Sequence, residues 1–183
     1  MTSPLQFGGS FNDGTGVFIN TGKIVAIKDI SGQKPFEKAD TPCDLGMIIK
    51  LEIGKTFQPE YVISGRFKKE SDVVTGWGSA LCVKQTLDNF GVEGGLTEDQ
   101  KFPETLLKSF LGKEVVTLSY IRGTKDDGKA LWGRWNILAP AGSDAKLRKQ
   151  FENNVKRGYP KDYVKPVQQD SVFTAKTEDE PSF

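Results

Sequence analysis

Residues 16–30 read GVFINTGKIVAIKDI, a run of β-branched and apolar residues with a glycine, Gly22, near its middle. Such a run predicts a long β-strand, because Val, Ile and Thr pack well on a pleated surface. We expect the strand to bend or bulge at Gly22. A bent first strand suits a small barrel, in which it contributes to both halves of the sheet.

Four further segments have strand character, and two helical segments lie between the third and the fourth strand. Residues 45–53 (LGMIIKLEI) and 61–69 (YVISGRFKK) alternate between two faces, as half-buried strands do. Helices are predicted in residues 79–91 and 103–112, each closed by a glycine. The last two strands, residues 113–124 and 130–140, are joined by a turn at Asp127 and Gly128.

This order predicts a mainly β domain with a helical insertion, specifically an OB-fold-like five-stranded Greek-key barrel with the helix between strands three and four. A generic α+β domain is the alternative. An extra C-terminal helix is predicted after residue 143, with Leu147, Phe151 and Val155 on one face. The predicted organisation is a flexible N-terminal arm (1–15), an OB-fold-like nucleic-acid-binding domain (16–140), a basic helical extension (141–165) and an acidic disordered tail (166–183).

Composition argues against most enzyme classes. The 183 residues include no histidine and two cysteines, Cys43 and Cys82. Histidine is the usual general base and the commonest metal ligand, so we expect no enzyme, no cofactor and no metal site. Isolated cysteines indicate a reducing compartment. Without a signal-peptide pattern or a long apolar run, the sequence predicts a cytoplasmic protein with no membrane partner.

Charge is distributed unevenly behind a net charge of +1. Residues 144–165 carry seven basic and three acidic side chains, a net charge of +4, whereas residues 166–183 carry one basic and four acidic side chains, a net charge of −3. This pattern predicts either two partners of opposite charge or a tail that folds back on the basic segment.

Basic and aromatic residues lie on the predicted outer faces of the strands and in the first and last loops. Single-stranded nucleic acids need such a pattern, with cations for the phosphates and aromatic plates for the bases. Trp135 shares its face with Leu131 and Ile137 and is predicted to be core. The predicted DNA-binding residues are Lys34, Phe36, Lys50, Arg66, Lys68, Arg122, Lys125, Trp132 and Arg134.

The sequence TEDEPSF at residues 177–183 resembles the acidic C-terminal tip of single-stranded DNA-binding proteins (SSB) of bacteria and phages. Ser182 separates Pro181 from Phe183, so the bacterial Pro-Phe ending is not reproduced, and the resemblance is to a phage-type protein. It implies that the tail binds replication or recombination proteins and that the location is the bacterial host cytoplasm. The predicted partner-binding residues are Glu178, Asp179, Glu180 and Phe183.

The function predicted from these features is sequence-independent binding of single-stranded DNA during phage replication or recombination. One alternative is a β-rich replication accessory or structural protein that does not bind DNA. Another is a carboxylate-metal nuclease built on Asp44, Glu52 and Lys55, although Glu52 and Lys55 fall on opposite strand faces. The sequence leaves a homodimer open.

Overall fold

The computed structural model describes residues 15–92 and 102–164. This part of the chain contains eight strands and three α-helices. The strands are β1 (Val17–Asp29), β2 (Leu45–Glu52), β3 (Glu60–Gly65), β4 (Lys68–Glu70), β5 (Val73–Gly76), β6 (Glu114–Thr124), β7 (Ala130–Trp132) and β8 (Leu138–Pro140). The helices are α1 (Leu81–Asn89), preceded by a 3₁₀ turn (Gly78–Ala80), α2 (Glu104–Phe110) and α3 (Asp144–Lys156).

Six strands form one curled antiparallel sheet in the order β3-β2-β1-β6-β7, with β8 also paired to β6. The first half of β1 pairs with β6 and the second half with β2, and the two pairings meet at Lys23. A bulge between Ile24 and Ala26 follows. Beside it, a Cβ atom on Gly22 would lie 2.9 Å from the Glu52 carbonyl oxygen. The expected bent strand shared by both halves of a mainly β, barrel-like sheet is therefore confirmed.

The hydrophobic core lies within the curled sheet and under the helices. In β2 the predicted apolar face is buried, with Leu45, Met47, Ile49 and Leu51 at most 1% exposed. Burying each such side chain stabilises the fold by about 1.5–3 kcal/mol. Trp135 is also buried, as its position in the strand pattern predicted.

Two strands are shorter in the structure than the sequence predicted. In each, a glycine lies where another part of the chain packs directly against its backbone. The third strand ends at Gly65, where a Cβ atom would lie 2.2 Å from the backbone of Ser79. The segment 130–140 is split into β7 and β8, and a Cβ atom on Gly133 would lie 1.9 Å from the Tyr120 ring. The prediction that Arg66 and Lys68 project from the third strand is therefore wrong.

The hairpin of β4 and β5 was not predicted: its first strand includes Lys68 and Lys69, which were assigned to the third strand, and the rest of it follows the end of that predicted strand. Ser71 and Asp72 form its turn with φ of 47° and 67°, in the left-handed region that favours glycine. No glycine marks this turn, so the usual sequence signal for a hairpin is absent. Lys68 lies in β4.

Helix α3 packs on α1 through two reciprocal pairs of amide side chains. Gln85 and Asn154 donate to each other at 2.7 and 3.0 Å, and Asn89 and Gln150 do so at 2.9 and 3.0 Å. Asn154 is fully buried, whereas Val155 is 37% exposed. The predicted apolar face therefore continues with Asn154 rather than Val155. No described helix is long and apolar enough to cross a membrane.

Candidate nucleic-acid interface

An open groove of about 900 Å³ lies at the end of the sheet where β2 begins and β3 ends. Its walls come from parts of the chain that are distant in sequence: residues 35–36, 38–43, 64–69, 78–79, 134–135 and 159–162, together with Tyr120. We call it the basic groove. Its basic lining residues are Lys38, Arg66, Lys68, Lys69, Arg134 and Lys161.

Hydrogen bonds fix the loop between β1 and β2 that forms the first wall. The Gly32 N–H donates to the Cys43 carbonyl, and the Cys43 N–H donates to the Gln33 carbonyl, both at 2.9 Å. The Cys43 thiol donates to the Ile30 carbonyl at 3.3 Å. Burial raises the pKa of this thiol, so it stays protonated and remains a donor. The loop therefore presents Phe36 to the groove from a defined backbone.

Asp44 anchors the second wall, which follows β3. Its carboxylate accepts hydrogen bonds from the Phe67 N–H at 2.8 Å and from the Lys69 ammonium at 2.9 Å. The Arg66 guanidinium donates to the Thr41 hydroxyl at 3.3 Å across the groove wall. Backbone and side-chain contacts thus place the basic residues of this wall beside the loop.

The segment after α3 folds back to form the third wall. The Tyr159 ring stacks on Trp135 with centroids 6.1 Å apart and an interplanar angle of 18°. The Tyr120 hydroxyl donates to Asp162 at 2.6 Å. Burial, followed by the hydrogen bond to Asp162 and its charge, raises the pKa of Tyr120, so the hydroxyl keeps its proton. The segment is therefore tied to the body at both Trp135 and Tyr120.

The electrostatics of the basic groove favour a polyanion. Six lining residues are basic and two, Asp40 and Asp162, are acidic. The guanidinium carbon of Arg134 lies 4.0 Å from the centroid of the Phe36 ring. An aromatic face beside a cation can accept a stacked base while the cation contacts a phosphate. This chemistry suits a nucleic acid with unpaired bases.

Four of the nine residues predicted to bind DNA line the basic groove: Phe36, Arg66, Lys68 and Arg134. The structure brings them together although Phe36 and Arg134 are almost a hundred residues apart. Lys34 is exposed in the same loop but does not line the groove.

Three others lie on the hairpin of β6 and β7 and do not line the groove. The Arg122 Nε donates to the Trp132 carbonyl at 3.0 Å. Trp132 is 36% exposed, and its ring meets Phe18 edge-on at 5.3 Å. Lys125 is exposed in the turn after β6, where its N–H donates to the Lys129 carbonyl.

Lys50 lies towards the opposite end of β2 from the basic groove. It is five residues beyond Leu45, a distance of about 17 Å along a strand. Its ammonium is 3.7 Å from the Glu60 carboxylate on the neighbouring strand. The lysine therefore already has an acidic partner in the sheet.

Part of the groove lining was not predicted from the sequence. The lining residues outside the prediction include Phe67, Lys69, Tyr159 and Lys161. Trp135 also lines the groove, although most of its side chain is buried. The segment YPKDY at residues 159–163 combines aromatic and basic residues, which is the signal that could have identified it. Its lack of periodicity gave no indication of where it would pack.

The carboxylates of the nuclease alternative are far apart. Asp44 precedes β2 and Glu52 ends it, so about 26 Å of extended strand separates them. Two carboxylates at this separation cannot share one metal ion. In residues 15–92 and 102–164, no group of three or more His, Cys, Asp or Glu side chains is arranged to hold a metal.

Comparison of the chain with protein-family models, with curated protein sequences and with solved structures finds no match. The tail residues Glu178, Asp179, Glu180 and Phe183 lie outside the described part of the chain, as does most of the predicted arm (1–15).

Proposed function

We propose that this chain is a non-enzymatic protein that binds single-stranded DNA without sequence preference during replication or recombination. The observation that carries the proposal is the basic groove. In it the Arg134 guanidinium lies 4.0 Å from the Phe36 ring, and five further basic residues line the same groove. Each base stacked on an aromatic ring contributes about 1–3 kcal/mol. Unpaired bases offer such faces, whereas the bases of a duplex are already stacked on each other.

The proposed architecture is an OB-fold. Its support is the antiparallel order β3-β2-β1-β6-β7, with α1 and α2 inserted between β3 and β6. The Asn136 amide also donates to the Val62 carbonyl at 2.8 Å, which links the last strand segment to β3 across the open side of the sheet. An OB-fold binds its ligands across strands two and three and the loops beside them, and the basic groove includes the loop before β2.

We further propose that the acidic residues 178–180 and Phe183 recruit replication or recombination proteins, as the resemblance to phage-type SSB implies. In that setting the protein acts in the cytoplasm of a bacterial host. The β-rich accessory protein that does not bind DNA remains the competing function, and DNA titration separates the two.

A titration of the protein with oligo-dT and with duplex DNA at two salt concentrations tests this proposal. Tryptophan fluorescence reports the binding. We expect tighter binding to oligo-dT and a steep loss of affinity with salt, because neutralised phosphates release counterions. Phe36→Ala should weaken binding about 10-fold through the loss of stacking. Lys108→Gln is the control, because Lys108 pairs with Glu104 on α2 and does not line the groove.

Equal affinity for duplex and single strands would contradict the proposed stacking mode. Absence of binding to both would contradict the proposed function and favour the accessory protein. A Phe36→Ala variant that binds like the Lys108→Gln control would show that the basic groove is not the binding site.

A further inference from the structure

Helix α3 carries four exposed basic residues along one face. At about 100° per residue they fall within an arc of about 100° around the helix, on the side away from the face that is buried against the body. We call this face the α3 stripe: Lys146, Lys149, Lys156 and Arg157, the last being the residue that caps the helix.

The α3 stripe has no ion pair with a described residue, unlike the lysines of the other helices. Lys84 of α1 pairs with Asp88, and Lys108 of α2 pairs with Glu104, each four residues away. In α3, Glu152 flanks the stripe but forms no ion pair with it. Lys146 and Lys149 are three residues apart, and like charges at this spacing repel each other and destabilise a helix. The N-terminal part of the stripe is therefore unfavourable in the free protein.

The helix dipole accounts for only two of these cations, Lys156 and Arg157, because positive charge stabilises the C-terminal end of a helix. Lys146 is the third residue of α3, where the dipole disfavours positive charge, and Lys149 is the sixth residue, beyond the first turn. A ligand that supplies negative charge along the face would relieve the repulsion between Lys146 and Lys149 and the unfavourable placement of Lys146.

The C-terminal end of the α3 stripe adjoins the basic groove in the chain. Arg157 is followed by Tyr159 and Lys161, which line the groove. The body of α3 also packs beside the groove, because the Phe151 ring on its buried face lies 5.6 Å from Tyr120, another lining residue. From Lys146 to Arg157 the stripe extends about 16 Å along the helix.

We propose that single-stranded DNA leaving the basic groove continues along the α3 stripe, which binds its phosphate backbone. This inference rests on the proposed function and extends its binding path. The stripe contains cations and no aromatic side chain, so it suits phosphates rather than bases. Binding therefore has two parts, with stacking in the groove and electrostatic contact on α3.

The test compares the variant K146Q/K149Q/K156Q with the control K23Q/K55Q/K108Q, whose exposed lysines do not line the basic groove. Glutamine has nearly the helix propensity of lysine, so α3 should be retained, and thermal unfolding checks this. Affinity is measured over a salt series for oligo-dT of about 6 and about 30 nucleotides, because one OB-fold covers roughly 4–16 nucleotides.

We expect the stripe variant to bind the short oligomer like the wild type and the long oligomer more weakly. For the long oligomer, the slope of log affinity against log salt should fall by about 2, since each phosphate contact to a single strand contributes about 0.7. The control should keep the wild-type slope on both lengths.

A long-oligomer slope equal to that of the control would overturn the inference while leaving the proposed function intact. Tighter DNA binding by the stripe variant, with lost binding of a peptide of residues 166–183, would assign the stripe to the acidic tail instead and overturn it as well. If the wild type binds neither oligomer, the proposed function and the inference both fail.

Discussion

Trp132 and Trp135 are three residues apart but stand in different surroundings. Trp135 is 7% exposed, and its Nε1 donates to the Ser79 carbonyl at 2.8 Å. We predict that Trp135→Ala lowers the free energy of unfolding by about 3–5 kcal/mol, as expected for a large core truncation. Trp132→Ala removes mainly the edge-on contact with Phe18 and should cost about 1 kcal/mol. Urea denaturation of the two variants checks the ranking.

The same variants also separate the groove from the hairpin of β6 and β7. Trp132 does not line the basic groove, so Trp132→Ala should weaken binding to oligo-dT less than Phe36→Ala does. A loss of affinity larger than that of Phe36→Ala would move the main stacking site to Trp132.

Cys82 is fully buried, and the carbonyls of Ser64 and Ser79, at 3.3 and 3.4 Å from its sulfur, are the two acceptors within reach of its single S–H. Burial raises its pKa from an ordinary 9.0 to about 12. We predict that Cys82 in a Cys43→Ala variant does not react with a thiol reagent at pH 8 until denaturant is added, because the thiolate is the reactive form. Rapid reaction of the native protein would contradict this burial.

The raised pKa also fixes a direction for the pH dependence of stability. The protonated thiol is favoured in the fold, so the Cys82 contribution is fully present below pH 9. It is lost as the pH rises from 9 towards 12, because the unfolded chain releases this proton first.

Among the elements, those with a regular pattern could be predicted and those shaped by a close approach could not. The alternation in residues 45–53 identified β2 and its buried face, and the apolar run of residues 16–30 identified β1. By contrast, nothing local shows that Gly65 lies against the backbone of Ser79, or Gly133 against the Tyr120 ring. These contacts ended the strands earlier than the residue pattern indicated.

The contact of α3 with α1 yields a prediction at the scale of elements. Asn154→Ala leaves the Gln85 amide without its partner and should cost about 1–3 kcal/mol. A double-mutant cycle with Gln85→Ala should give a coupling energy of about 0.5–3 kcal/mol. Because α3 leads into Tyr159 and Lys161, the single variant should also weaken oligo-dT binding. Additive effects in the cycle would show that the amide pair does not join the helices.

At the scale of the whole molecule, the basic groove is assembled from distant parts of the chain. Part of its lining could be predicted as an outer surface of cations and aromatic rings, since Phe36, Arg66, Lys68 and Arg134 were all expected on such a surface. Their grouping could not, since it depends on Phe36 meeting Arg134 and on the segment 159–162 returning to Trp135 and Tyr120. Those contacts depend on tertiary packing, which leaves no periodic signal in the sequence.

The acidic residues 178–180 allow a prediction about competition for the basic groove. Because they follow the segment 159–162 in the same chain, we expect them to compete for the groove at a high effective concentration. Replacing Glu178, Asp179 and Glu180 by their amides should tighten oligo-dT binding, most strongly at low salt, where the competition is least screened. Phe183→Ala keeps every charge, so it should leave DNA affinity unchanged while weakening capture of a replication protein. Both effects are measured by titration and by pull-down from a host extract. If the amide variant binds DNA with unchanged affinity at low salt, the acidic residues do not compete for the groove.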